Sequence, residues 1–372
     1  MPQIDIEQSY REGTPAMTSV ALSKVKLGDR LAQDVITPLG STLMHKGVVI
    51  TPREREVLEA FLIQEVVIES REGGLAARAK QEETQSSDTR PLTNLEVEYN
   101  NMFTLLKRIF STNTSGVGLP ILELRNQLEQ LLKHSGDYNV LAFHPTVAED
   151  NDYMFHNSAL SALTSYQLAQ WCQFPQRDWM PIAMAGLFHD IGNIRIDRTI
   201  LYKPTELTKE EAEEMRRHTL HGYNLLKNVP AINEGVKLTA LQHHEKIDGS
   251  GYPLAIRGDS IHPYARIVAI ADIFHAMTLK RSYRQSSSPY QVLEQLQVES
   301  FGKLDPAYVR TFIEKATQFH NGMVVQLSDG RSGEIIFSDR QHPTRPWVSV
   351  NGQIVNLTIE RNLHIQSIVQ DI

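Results

Sequence analysis

The chain runs to 372 residues, which at roughly 150 residues per domain suggests two or three domains with room for a sizeable core. Hydrophobic residues at 41% and charged residues at 22% exclude a wholly disordered or fibrous chain, and a net charge of -7 is the wrong sign for a broad cationic face on duplex nucleic acid. Cys172 is the single cysteine, so an intramolecular disulfide and a thiolate-built metal site are both excluded.

Met1 to Tyr10 carries Asp5 and Glu7 and lacks the basic-then-apolar pattern of a secretory signal. No apolar run approaches the roughly 20 residues of a spanning helix. The expectation is a soluble, cytoplasmic protein without a membrane span.

From Val20 to Glu69 the pattern predicts a small α/β unit: a hairpin near Asp34 to Met44 turning at Pro38-Leu39-Gly40, a helix from about Pro52 to Leu62, and a closing strand at Val66-Val67-Ile68. Arg71 to Asn94 has linker composition, with Gly73-Gly74, Gln85-Ser86-Ser87 and Pro91 among mixed charges. The chain is therefore divided as an N-terminal module over 1–70, a linker over 71–95, a helical domain over 96–320 with its core in 145–320, and a small β unit over 321–372. The helical reading rests on period and on caps. Thr208 with Glu211 is a capping box, and Ser288-Pro289 and Asp305-Pro306 each place a capping side chain before a proline at the first helical position. Beyond Gly322 the period is that of strands: Val324 to Leu327, Gly333 to Phe337, Trp347 to Val350 and Ile354 to Leu357, with Asn351-Gly352 as a hairpin turn.

The chemistry lies in the helical block, which holds His156, His189, His218, His221, His243, His244, His262 and His275. His189-Asp190 follows the apolar run Ile182 to Phe188, which places an imidazole and a carboxylate at the end of a buried helix. A buried carboxylate is costly alone and is compensated when it bridges two divalent cations, so Asp190 is the natural bridge. Taken alone, the pair also fits a helix end whose histidine is satisfied by a backbone carbonyl. His243-His244-Glu245 precedes Asp248-Gly249-Ser250-Gly251-Tyr252-Pro253. Adjacent helical residues point about 100° apart, so both imidazoles reach one site only at a helix end or across more than one metal. Imidazoles with carboxylates suit iron or manganese at least as well as zinc. Cys172 reads as a small apolar residue.

These residues resemble the HD-GYP phosphodiesterases, the branch of the HD metal-dependent phosphohydrolases that hydrolyses cyclic di-GMP. His189-Asp190 and Gly251-Tyr252-Pro253 carry the resemblance, and the extended pattern covers most of residues 145 to 320. It implies a helical bundle and a set of metal ligands: His156 as the first histidine, then His189, Asp190, His218, His243, His244 and Asp272. It also implies two or three divalent ions, the third beside Asp152, which lies one turn before His156 and equally suits a solvated acidic run. Gly251, Tyr252, Pro253, Arg281 and Arg284 would contact substrate. Hydroxide held between the metals would attack the phosphodiester, Asp190 would position the metals and accept the water's proton, and linear pGpG would form, with GMP as a further product.

Two departures stand out. Asn193 replaces the family's common lysine, and an amide supplies neither a proton nor a charge. His275 replaces a common aspartate and reads as a core residue or an extra polar group near the metals. Two other functions stay open: a degenerate member that binds cyclic di-GMP or a signalling partner without turnover, favoured by Asn193, and a different HD reaction, which the intact Gly251-Tyr252-Pro253 opposes. Dimerisation and regulation are the roles open to the N-terminal module.

Overall fold

The computed structural model describes residues 17–36, 42–61, 63–69, 92–112, 119–145, 147, 149–279, 286–318 and 322–369. The first unit runs β1 (Met17–Ala21), β2 (Val35–Ile36), β3 (Thr42–Met44), α1 (Pro52–Ala60) and β4 (Glu65–Glu69). β1 pairs antiparallel with β4, Met17 facing Glu69 and Ala21 facing Glu65, while β2 pairs with β3. The hairpin, helix and closing strand expected from sequence are present. β1 begins ahead of the expected unit, and the Pro38-Leu39-Gly40 turn lies outside the described residues. Leu31, Ile50, Leu58, Val66 and Ile68 form a small second core, which Val324 of the C-terminal unit joins.

The helical block opens with α2 (Asn94–Thr112) and α3 (Ile121–Leu132). A box between Thr93 and Glu96 starts α2: the Glu96 carboxylate accepts from Thr93 N at 2.8 Å, and Thr93 Oγ1 accepts from Glu96 N at 3.2 Å. Leu95, Tyr99, Met102, Leu106 and Ile109 recur at helical spacing and form its buried stripe. α4 (Tyr153–Trp171) is different, because its residues from Met154 to Ser165 are buried on every side. It is the central rod against which the site helices pack.

α5 (Gln176–Phe188) crosses α4 closely because the contact residues are small. A Cβ on Gly186 would lie 2.6 Å from the Ser161 carbonyl oxygen, so only glycine fits. The chain continues through α6 (Arg198–Leu201), α7 (Lys209–Arg216), α8 (His218–Leu226), α9 (Glu234–Gln242), α10 (Pro263–Thr278), α11 (Pro289–Glu299) and α12 (Pro306–Ala316). The Thr208–Glu211 box caps α7, and Asp305 caps α12 by accepting from Ala307 N and Tyr308 N. Ser288 departs from expectation. It occupies the N-cap of α11 without a capping bond, and its hydroxyl instead donates to the Ile365 carbonyl, because a strand end packs beside it.

Residues 322–369 form one antiparallel sheet in the order β8-β7-β6-β5-β9, with β5 (Val324–Leu327), β6 (Ser332–Phe337), β7 (Trp347–Val350), β8 (Gln353–Asn356) and β9 (Ile365–Ile368). Asn351 and Gly352 both have positive φ, 49° and 76°, as the expected β7–β8 hairpin requires. β9 was not anticipated, since Ile365-Gln366-Ser367-Ile368 is too short a pattern to separate from a turn. Arg345 ties this sheet to the helices, pairing with Glu294 of α11 at 2.8 Å and donating to Leu363 O at 2.7 Å. Among the described residues, no helix is long and apolar enough to cross a membrane.

The α4–α5 crossing yields a direct test. Gly186→Ala forces a methyl into the Ser161 backbone and should destabilise the protein by about 1–3 kcal/mol, read as a lowered denaturant midpoint at unchanged m-value.

Candidate metal centre

The site is built where four helix ends and one helix face converge. His189 follows the last residue of α5, Asp190 starts the 3₁₀ turn Ile191–Arg195, His218 opens α8, and His243 and His244 follow α9. Asp272 comes from the buried face of α10. Gly192 lets the His189-Asp190 turn lie on the start of α8, for a Cβ there would stand 1.8 Å from the His218 carbonyl oxygen.

The imidazoles are oriented from behind. Nδ1 of His189 donates to Gly186 O at 2.7 Å, that of His218 to Met215 O at 2.8 Å, and that of His243 to Thr239 O at 3.0 Å. These bonds make Nδ1 the donor in each ring and turn its Nε2 inward. The inward nitrogens of His218 and His243 lie 3.3 Å apart. Two ring nitrogens this close together suit a shared cation.

Asp190 serves both halves of the cluster. Its Oδ1 lies 3.3 Å from His218 Nε2 and 3.6 Å from His243 Nε2, while Oδ2 lies 3.5 Å from His189 Nε2. His189 Nε2 also stands 3.4 Å from Asp272 Oδ1. Two groups of donor atoms result, each within 4.8 Å: Asp190, His218, His243 and His244 in one, and His189, Asp190 and Asp272 in the other. Burial disfavours charge on both carboxylates, yet the neighbouring imidazoles hold Asp190 well below the carboxylate range and Asp272 below it as well. Burial likewise opposes a proton on His189, but Asp190 and Asp272 prevail and hold it well above the ordinary imidazole value. Burial keeps His218 and His244 below theirs, and so neutral. Carboxylates beside imidazoles whose Nε2 atoms face inward are a donor set that fits divalent cations.

The Gly251-Tyr252-Pro253 turn is folded onto this cluster. The Glu245 carboxylate, 3% exposed, accepts from Leu254 N at 2.7 Å and Ile256 N at 3.2 Å, and a Cβ on Gly251 would meet His244 O at 2.5 Å. Tyr252 stacks on His244 with ring centroids 4.7 Å apart, and the Arg216 guanidinium lies over the Tyr252 ring, 5.3 Å from its centroid. Arg281 and Arg284 lie outside the described residues.

Two of the expected ligands are turned elsewhere. His156 is buried, but its ring stacks on Phe103 at 4.4 Å and its Nδ1 bonds with the Tyr99 hydroxyl at 2.8 Å. Its neighbour Asn157 faces the cluster instead, donating from Nδ2 to Asp272 Oδ1 at 2.9 Å and standing 3.4 Å from His189 Nε2. The reason is the 100° helical step: α4 presents only one of two adjacent residues to α10, and the other falls to α2. Asp152, one turn before His156, shares that face and pairs with Lys107 of α2 at 2.8 Å. Neither His156 nor Asp152 belongs to the donor groups found among the described residues.

Asn193 is 7% exposed beside Asp190, with its Oδ1 buried and without a hydrogen-bond partner. His275 is a core residue, its Nε2 2.7 Å from Thr164 Oγ1. Sequence reasoning missed Asn157, because a helix buried on every side shows no face, and passed over Arg216, Glu245 and the largely buried Lys246, whose ammonium burial lowers against the pull of Asp272.

A family model described as an HD domain matches residues 142–308. A cyclic di-GMP phosphodiesterase of Pseudomonas aeruginosa is 30% identical over 54% of this chain and 48% of its own length. A cyclic di-GMP phosphodiesterase response regulator of Xanthomonas campestris is 39% identical over 37% of this chain and 36% of its own length. A 3'3'-cGAMP-specific phosphodiesterase of Vibrio cholerae is 36% identical over 37% and 27%. The chain thus spans about half or less of the length of these relatives.

His156→Gln should leave metal content, measured by elemental analysis of the purified protein, at the parent level, whereas His243→Gln should lower it. Burial holds His275 down to about 3, against an ordinary value of 6.5. The unfolded chain therefore binds a proton below 6.5 that the native protein refuses, and stability contributed by neutral His275 is lost as pH falls from 6.5 toward 3. The slope is at most about 1.4 kcal/mol per pH unit. Denaturation midpoints across this range should fall less steeply for His275→Gln than for the parent.

Proposed function

We propose that this chain, whose residues 142–308 match an HD domain, is a metal-dependent phosphodiesterase of the HD-GYP kind that opens cyclic di-GMP to pGpG and cleaves it further to GMP. The observation that carries this reading is Asp190, with one carboxylate oxygen toward His218 and His243 and the other toward His189. His189, Asp190, Asp272, His218, His243 and His244 would hold two divalent ions, iron or manganese. Such ions, when bound, make water acidic and neutralise charge developing on a phosphodiester. Asp190 is ionised at neutral pH and accepts the proton of the attacking water.

The remaining residues orient the substrate and exclude water. Tyr252, braced between His244 and Arg216, presents an aromatic edge to a nucleobase, and Glu245 fixes the loop that carries it. Arg281 and Arg284 supply phosphate contacts in this reading. Residues 1–70 carry no chemistry in this reading and serve regulation or dimerisation. The protein works in the cytoplasm on a soluble second messenger.

A second reading, a receptor that binds cyclic di-GMP without turnover, is favoured by Asn193, which places a neutral amide in a buried position beside Asp190. The test is turnover of cyclic di-GMP by protein purified without oxygen and loaded with iron or manganese, with Asp190→Ala as control. Metal-dependent pGpG or GMP that falls at least a hundredfold in the variant supports the enzyme. Two equivalents of bound metal and bound nucleotide with no product would establish the receptor instead.

A further inference from the structure

The two halves of the cluster are chemically unequal. One offers three imidazoles and an oxygen of Asp190, the other a single imidazole, the second oxygen of Asp190 and the carboxylate of Asp272. The side chain that stands beside the poorer half is Asn157. It is 1% exposed, its Nδ2 reaches Asp272 and His189, and its Oδ1 is buried with no hydrogen-bond partner. A buried amide oxygen left unpaired is costly, and such an atom calls for an explanation.

We propose that Asn157 completes the His189, Asp190 and Asp272 half-site as an amide ligand, and that it makes this half the weaker of two, so that divalent ions enter in two well-separated steps. The inference rests on reading the cluster as a metal centre and adds which ion is held loosely and why. An amide presents either a donor or an acceptor from nearly the same volume, by rotation about its last torsion. In the structure the NH₂ end faces Asp272 and donates to it at 2.9 Å. With a cation between Asp272 and His189, rotation brings Oδ1 to face the ion and relieves its orphaned state. That rotation breaks the bond to Asp272, and a carbonyl oxygen is a neutral, hard donor, so the half-site binds weakly for two reasons.

Ligand type then separates the ions. Three imidazoles favour zinc and the later transition metals, whereas a half-site with mostly oxygen donors favours manganese or magnesium. The same residue explains why His156, one step away on α4, is free to stack on Phe103.

The experiment is calorimetric titration of the full-length, metal-stripped protein with Mn²⁺ and separately with Zn²⁺, together with its Asn157→Asp, Asn157→Leu and Asn157→His variants. Asn157→Asp keeps the shape and adds charge, so it tests the idea even where the larger imidazole disturbs packing; circular dichroism verifies each fold. The parent should show two steps differing at least tenfold in affinity. Asn157→Asp and a folded Asn157→His should tighten only the weaker step by tenfold or more, and Asn157→Leu should weaken or abolish it while sparing the tighter one. Two ions bound with equal affinity, or a weaker step indifferent to all three substitutions, overturn the role of Asn157 and leave the metal centre standing. Binding of no ion by the parent, with Asp190→Ala indistinguishable from it, overturns both.

Discussion

Everything at the centre depends on placing one carboxylate, Asp190, between imidazoles that arrive from three different helices. That carboxylate's charge is answered by His189, which lies 3.5 Å from Oδ2 and is held above the ordinary imidazole value, while His218 and His243 turn ring nitrogens to within 3.3 and 3.6 Å of Oδ1. Backbone carbonyls hold those rings: the last turns of α5 and α9 aim His189 and His243, and Met215 at the end of α7 aims His218. A site made this way inherits its precision from helix packing, and two glycines set that packing. Gly186 brings α5 against α4, and Gly192 brings the turn after α5 against α8.

The surrounding polar residues divide into those that answer the centre and those that support its walls. Glu245 lies next to His244, yet its carboxylate holds the loop after it through two backbone amides. His275 lies one turn beyond Asp272, yet burial keeps it neutral and it bonds to Thr164 within the core. His156 and Asp152 form a parallel arrangement on the other face of α4, where aromatic rings and Lys107 receive them. Polar residues in a bundle this tightly packed take the role their face dictates.

The terminal units show the same division between pattern and place. The hairpin over Asn351-Gly352 was readable because positive φ at both turn positions demands those residue types. The strand Ile365–Ile368 was hidden, since it earns its identity from pairing with β5 across a long loop. Ser288 looked like a cap for the same reason that Asp305 was one, but a neighbouring strand end offered its hydroxyl a better partner.

By itself the sequence determined the helical class, most element positions, the HD and GYP motifs and six of the residues that meet at the centre: His189, Asp190, His218, His243, His244 and Asp272. Those residues sit at helix ends or within distinctive local patterns, where neighbours in the chain already constrain direction. Tertiary structure alone placed Asn157 rather than His156 beside Asp272 and His189, and set Asp152 beside Lys107. α4 is buried around its whole circumference from Met154 to Ser165, with polar and apolar residues mixed on every side, so no period in the sequence marks which face meets α10 and which meets α2. One residue step on a helix is a rotation of about 100°, enough to exchange an imidazole for an amide at the centre, and only the packing of the other helices fixes that angle.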